Sequence, residues 1–278
     1  MKSSDIQQLS QPLPSHRTKH LKHLQYNLWP PVLKPSYNSV QSPTVHISLL
    51  QNDNCGLSTG STLWLGAQVL SAYLLSHVPS RTTRKCQSRC AIEIGAGTGL
   101  MSITLSALGY HVLATDIEPS LTSILMPNVK GWVSSSSAES GPLCVGRLDW
   151  NLPINYRTIQ SWLESKIEFD LIVTTDTVYT SELLRPLLMT LKNLSDSSTR
   201  PPPIYLALER RDPALVESFF KMADQLNFKA DRIDHSSLVK LTEQMGWELD
   251  DWEGVEVWKL RQRVQKLKAR HVSGTTPK

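Results

Sequence analysis

The run Ala-Ile-Glu-Ile-Gly-Ala-Gly-Thr-Gly-Leu at residues 91–100 limits the fold more than any other stretch of the chain. Ala91, Ile92 and Ile94 read as a buried strand, the three glycines as a tight turn, and Met101, Ile103, Leu105 and Leu108 as the buried side of a helix behind it. A side chain in such a turn would hold the backbone away from a ligand, and the helix start leaves free N–H groups aimed at that ligand. A second strand over residues 111–115 then delivers Asp116 at its carboxyl end, where a carboxylate can accept hydrogen bonds from ribose hydroxyls. The expectation is an α/β unit that binds a ribose-bearing cofactor.

Glycine spacing separates the cofactor classes. A dinucleotide fingerprint runs G-x-G-x-x-G, with its helix start facing a pyrophosphate. Here Gly95, Gly97 and Gly99 give G-x-G-x-G, and Glu93 stands two residues before the first glycine. An acid at that distance suits a cationic ligand portion better than a diphosphate, because like charges repel. Together with Asp116, these residues resemble motif I of the seven-β-strand S-adenosylmethionine (SAM)-dependent methyltransferases, [E/D]-x-G-x-G-x-G.

Composition bounds the rest. The 278 residues fit one α/β domain with extensions, and 40% hydrophobic with 19% charged residues supply an ordinary core. A net charge of +4 is mildly basic and reads as a solvated surface, leaving a nucleic-acid contact open without supporting one. Cys55, Cys86, Cys90 and Cys144 are too few and too irregular for a disulfide framework or a metal site, and read as reduced packing thiols. The start lacks the apolar core of a signal peptide, and no segment approaches the ~18 apolar residues of a membrane span. The expectation is a monomer in cytosol or nucleus, with no membrane association and no metal.

Along the chain, residues 1–40 are rich in Gln, Ser, Pro, Lys and His and read as an arm without regular structure; no role is assigned to its basic cluster at 17–23. Residues 44–50 alternate as a strand added before the core, and residues 61–75 read as a helix with Trp64 at its start, by chemistry alone a core anchor. A helix is expected over 118–126, followed by a polar loop containing 134–137. The third strand, 143–148, ends in Asp149 and Trp150, an acid that can bond an adenine amino group and an indole that can cover its ring. A strand-end turn with Trp150 in the core is the equal alternative.

The fourth strand, 169–175, presents Asp176-Thr-Val-Tyr179 beyond its carboxyl end, where ligands bind in open α/β sheets. Asp176 could equally be a helix cap. A fifth strand over 203–208 ends in the charged run 209–212, which either holds a target peptide or forms salt bridges. Residues 228–233 and 255–260 complete the sheet as an antiparallel pair, and the acid-free basic run 259–270 reads as an exposed tail or a weak nucleic-acid contact.

Several of these segments extend the resemblance over residues 61–261. Trp64-Leu-Gly-Ala67 resembles the W-x-x-A element of the methyltransferase-like protein lysine methyltransferases, Leu148-Asp-Trp150 their adenine-side motif, and Asp176 to Tyr179 their substrate-side D-x-x-Y; the whole looks closest to the methyltransferase-like protein 22 type. The resemblance implies a Rossmann-like seven-stranded class I methyltransferase sheet with helices on both faces plus an N-terminal extension: an arm to residue 40, a domain over 41–262 and a basic tail over 263–278. It implies that Gly95, Gly97 and Gly99 approach SAM, Glu93 supports its methionine end, Trp64 and Asp176 help shape its pocket, Asp116 holds its ribose, and Asp149 and Trp150 its adenine. It implies transfer of the methyl group to a lysine of a non-histone protein partner, with Asp176 and Tyr179 orienting the amine. A small-molecule or nucleic-acid methyltransferase would share the cofactor residues, although no Asn-Pro-Pro-Tyr-type motif follows the fourth strand; a noncatalytic scaffold and a nicotinamide dehydrogenase are the remaining alternatives.

Overall fold

The computed structural model describes residues 12–29, 45–53, 59–79, 89–136, 140–163 and 168–263. β1 (His23–Asn27) and β2 (His46–Leu50) form an antiparallel ribbon, with Leu24 opposite Leu49 and Tyr26 opposite Ile47. Their alternation buries one face and leaves His23, Gln25, His46 and Ser48 in solvent. α1 (Leu65–His77) follows, and then the units β3 (Cys90–Ile94), α2 (Leu100–Ala107), β4 (His111–Asp116), α3 (Met126–Ser135) and β5 (Leu143–Arg147). The second half comprises α4 (Tyr156–Leu163), β6 (Leu171–Thr175), α5 (Ser181–Asp196), β7 (Ile204–Glu209), α6 (Pro213–Gln225), β8 (Phe228–Arg232), α7 (His235–Gln244) and β9 (Val255–Gln262).

The main sheet runs β5-β4-β3-β6-β7-β9-β8, parallel except for β9, which pairs antiparallel with β7 and β8. This is the seven-stranded Rossmann-like arrangement expected from the sequence. Every residue of β3 and β6 is buried, as central strands covered on both faces require. Alternate side chains feed two cores. Ala91, Val112, Val173 and Val257 join α1, α2, α3 and α7 on one face, while Ile92, Leu113, Ile172 and Leu206 join α4, α5 and α6 on the other. Burying each large side chain of this kind stabilises the fold by roughly 1.5–3 kcal/mol.

The described part of the N-terminal stretch differs from the expected irregular arm. Leu24, Tyr26 and Leu28 belong to the core on the α1 face, and the Trp247 indole N–H donates to the Pro12 carbonyl at 2.7 Å. The expectation rested on polar composition, which hides a short period-2 pattern in Leu24, Tyr26 and Leu28. Residues 1–11 and 30–44 of that arm, and 264–278 of the basic tail, lie outside the described residues. A second difference lies after β4, where a wide turn over Leu121–Leu125 leads into α3, so that Ser134 and Ser135 end a helix rather than lie in a loop. Trp132 is what draws this stretch inward, its indole donating to Ser106 Oγ at 2.9 Å.

Cys90 is buried at the start of β3 and Cys144 is half-buried in β5, and Cys55 and Cys86 lie outside the described residues. Among the described residues no helix is long and apolar enough to cross a membrane, and no group of three or more His, Cys, Asp or Glu gathers as a metal site.

Candidate active site

The strand order reverses between β3 and β6, whose following connections leave toward opposite faces of the sheet and open a crevice beyond the strand ends. A cleft of about 290 Å³ occupies that place. Its floor is the glycine turn. Gly95 and Gly97 carry φ of 70° and 53°, and a Cβ on Gly95 would stand 2.9 Å from the Thr177 methyl and 3.1 Å from the Trp150 ring. A side chain at Gly95 has no room, because Thr177 and Trp150 already pack against the turn.

Asp116 ends β4 with both carboxylate oxygens engaged. The Gly97 N–H donates to Oδ2 and the Ile117 N–H to Oδ1, each at 2.7 Å. Burial raises the carboxyl's pKa above its ordinary value, and these two bonds oppose the rise. The residue lines the cleft with its orientation fixed and its remaining lone pairs available to hydroxyl donors. One strand over, Asp149 is held by the Asn151 N–H at 3.0 Å, and Trp150 lies against the glycine turn. The Thr174 hydroxyl donates to the Ile94 carbonyl and accepts from Thr177, each at 2.8 Å, so the loop after β6 is tied to β3.

Asp176 opens that loop with φ of 56° and its N–H on the Ala207 carbonyl. Its carboxylate reaches α1, 109 residues away in sequence, and accepts the Ala67 N–H at 3.1 Å. Trp64, at the N-cap position of that helix, supplies no side-chain cap, so Asp176 caps α1 in its place. Desolvation lifts the Asp176 pKa to about 7, reinforced by Glu209 and opposed by the Ala67 bond and Arg211. Tyr179 stands at the rim, 48% exposed. The Trp64 indole N–H donates to the Thr59 carbonyl at 2.7 Å while its ring lines the cleft.

The structure therefore brings Trp64, Gly95, Gly97, Asp116, Asp149, Trp150, Asp176 and Tyr179 to one cleft. Glu93 and Gly99 stand behind the turn. Glu93 is fully buried, accepts the Ser102 hydroxyl on Oε2, and leaves Oε1 without a partner; burial raises its pKa to about 8. Gly99 precedes α2 with φ of 82°, where a Cβ would meet Leu125 at 2.8 Å, so its role in the fold is close packing.

Sequence reasoning passed over Thr59, Gly60 and Thr62, which line the same cleft. A Cβ on Gly97 would stand 3.1 Å from the Gly60 carbonyl. The only signal was the small, polar run before Trp64. Of the two readings of their charged run, Glu209 and Arg211 show the salt bridge, since they are ion-paired with each other, and they line the cleft.

Comparison with known proteins supplies the family. Residues 43–226 match the family described as lysine methyltransferase. The chain is 34% identical over 140 residues to the cattle (Bos taurus) protein-lysine methyltransferase METTL21E, covering 50% of this chain and 45% of the relative. It is 32% identical over 155 residues to zebrafish (Danio rerio) protein N-lysine methyltransferase METTL21A, covering 55% and 64%, and 29% identical over 144 residues to mouse (Mus musculus) methyltransferase-like protein 22, covering 49% and 35%. The matched region thus spans about half the length of the first of these relatives. With two thirds of the sequence under the family match and a glycine turn, Asp116 and Asp176 converging on one cleft, the chain belongs to the lysine methyltransferase family.

Proposed function

We propose that this chain binds SAM in the cleft and transfers its methyl group to a lysine side chain of a non-histone protein. The observation that carries this is Asp116, locked by Gly97 and Ile117 N–H groups at the end of β4, with Trp150 beside the glycine turn. These residues fit a nucleoside: a fixed acceptor for vicinal hydroxyls, an indole for a purine face, and backbone that no side chain obstructs. Asp149 is the candidate acceptor for the adenine amino group, and the Trp64 ring also lines the cleft. Glu93 is assigned to the methionine end only through the turn it supports, since its carboxyl faces Ser102.

When bound, SAM supplies a methyl group on a positively charged sulfur. The chain's part is to align a neutral amine with it and keep water out of the path. A lysine side chain is protonated to near pH ~10.4 in water, so the site must favour the free amine. The Asp176 carboxyl, with its pKa near 7, can accept a hydrogen bond or a proton from the incoming ammonium, directly or through one water. Tyr179, at the rim, can orient the same nitrogen. We assign the protein to cytosol or nucleus, which suits a chain with four irregularly spaced cysteines and no disulfide framework in its sequence, and expect it to act as a monomer.

Labelled SAM added to a cell lysate, with wild-type protein or with Asp176→Ala or Tyr179→Phe, tests the assignment. Wild type is expected to label protein lysines, with incorporation reduced by about a hundred- to ten-thousandfold in Asp176→Ala. Equal labelling by all three proteins overturns the roles given to Asp176 and Tyr179.

A further inference from the structure

Residues 12–29 bring a lysine to the mouth of the cleft. Lys19 follows the single turn Ser15–Arg17, with its N–H on the Ser15 carbonyl at 3.0 Å. The core holds this turn from several sides. The Gln51 amide donates to the carbonyls of Thr18 and Leu21 at 3.1 Å, the Gln68 amide donates to the Leu13 carbonyl at 2.8 Å, and Arg17 pairs with Asp251. A lysine on a solvated arm would have none of these constraints.

So positioned, the Lys19 ammonium stands 3.4 Å from the centroid of the Trp64 ring. That ring lines the cleft and carries a second cation, the Arg211 guanidinium, 4.5 Å from its centroid. Asp176, Glu209 and Asp53 attract the Lys19 charge; burial and Arg211 act against it more strongly, and hold its amine below the ordinary lysine range. An aromatic platform, nearby carboxylates and an amine that loses its proton early are what an acceptor lysine requires of this cleft. Lys19 meets them within the same chain. Its tip is not part of the cleft lining, but it rests on Trp64, which is, and the flexible four-carbon stem allows the nitrogen to move from that ring toward the cleft.

We propose that Lys19 is a methyl acceptor for the chain's own cleft, an internal substrate parked on Trp64. This rests on the reading of the cleft as a SAM-dependent lysine site. Lys19 Nζ gives a proton to solvent water, and its lone pair then forms the N–C bond to the methyl carbon as the C–S bond breaks. The electron pair of that bond stays on sulfur, which becomes the neutral thioether of S-adenosylhomocysteine, while the nitrogen carries the positive charge as a methylammonium. The modified residue keeps its charge and its contact with Trp64.

Two measurements on the full chain test this. In the first, protein with SAM binding established by calorimetry is incubated with SAM, and fragmentation mass spectrometry separates Lys19 from Lys22. One or more methyl groups on Lys19, absent in Lys19→Arg and added at a rate per molecule that dilution leaves unchanged, is the expected result. SAM binding with Lys19 unmodified overturns the proposal and leaves the cofactor reading intact; a rate that falls on dilution overturns the internal route; absence of SAM binding removes the cofactor reading and the proposal with it. In the second, unliganded protein is labelled with acetic anhydride across a pH series. Lys19 is expected to react at lower pH in the folded chain than in the same chain unfolded in urea, and identical pH dependence in the two overturns the proposal.

Discussion

Glu93 is a buried acid whose proton links the fold to pH. In the unfolded chain a glutamate loses its proton near pH 4.5, whereas burial holds the Glu93 proton to about pH 8. The folded state therefore binds the extra proton across that window. Stability contributed by Glu93 is fully present below pH 4.5 and is lost as pH rises through about 8, with a slope near ~1.4 kcal/mol per pH unit. Asp176 acts in the same direction up to about pH 7. Urea unfolding of the unliganded protein at several pH values is expected to give a shallower decline for Glu93→Gln than for wild type; parallel curves would contradict the burial argument. Neither the proton nor its partner was legible in the sequence. Glu93 was readable as the acid before the glycine turn, but its direction depends on Ser102, which comes from the opposite side of that turn on α2.

At the scale of elements, α1 shows how a distant residue completes a helix. Its first turn lacks a local side-chain cap, and the Asp176 carboxylate meets the Ala67 N–H instead. Asp176→Asn keeps an acceptor oxygen and is expected to stay within about 0.5 kcal/mol of wild type while losing turnover, whereas Asp176→Ala should cost about 0.5–2 kcal/mol as well. Gly66→Ala provides an independent check. Alanine normally stabilises a helix by about 1 kcal/mol relative to glycine. Here the new Cβ would lie 2.6 Å from both Asp176 oxygens, so the variant should melt below wild type and methylate poorly. A melting temperature above wild type would mean that Asp176 does not hold this position. Sequence reading placed a helix over 61–75 and a strand over 169–175, against Leu65–His77 and Leu171–Thr175 in the structure, and could name a helix cap as one role for Asp176. Which helix it caps was settled by the sheet, because the two elements meet only after β3 and β6 pair.

Across the whole molecule, the β3–α2, β6–α5 and β7–α6 units were legible because each carries its own period: the apolar runs of β3 and β6, the glycine turn, and the amphipathic α5 and α6. The N-terminal stretch and α7 were not. The inward positions of β1 alternate with His23 and Gln25 inside a basic run, and the buried side of α7 rests on Leu238, Leu241 and Thr242, too few for the pattern to stand out. If residues 12–29 are core, Leu28→Ala should cost about 2–5 kcal/mol in urea unfolding, as for any fully buried leucine. A loss within about 0.5 kcal/mol would return the stretch to a solvated arm. The central claim is the cofactor, and calorimetric titration of the purified chain with SAM, alongside NAD and repeated on Asp116→Ala, tests it most directly. The account predicts saturable SAM binding, no NAD binding, and affinity about ten- to a hundredfold weaker in the variant, the worth of hydrogen bonds to a charged acceptor. A folded wild-type protein that takes up no SAM would contradict it and favour a scaffold that keeps the fold without the chemistry.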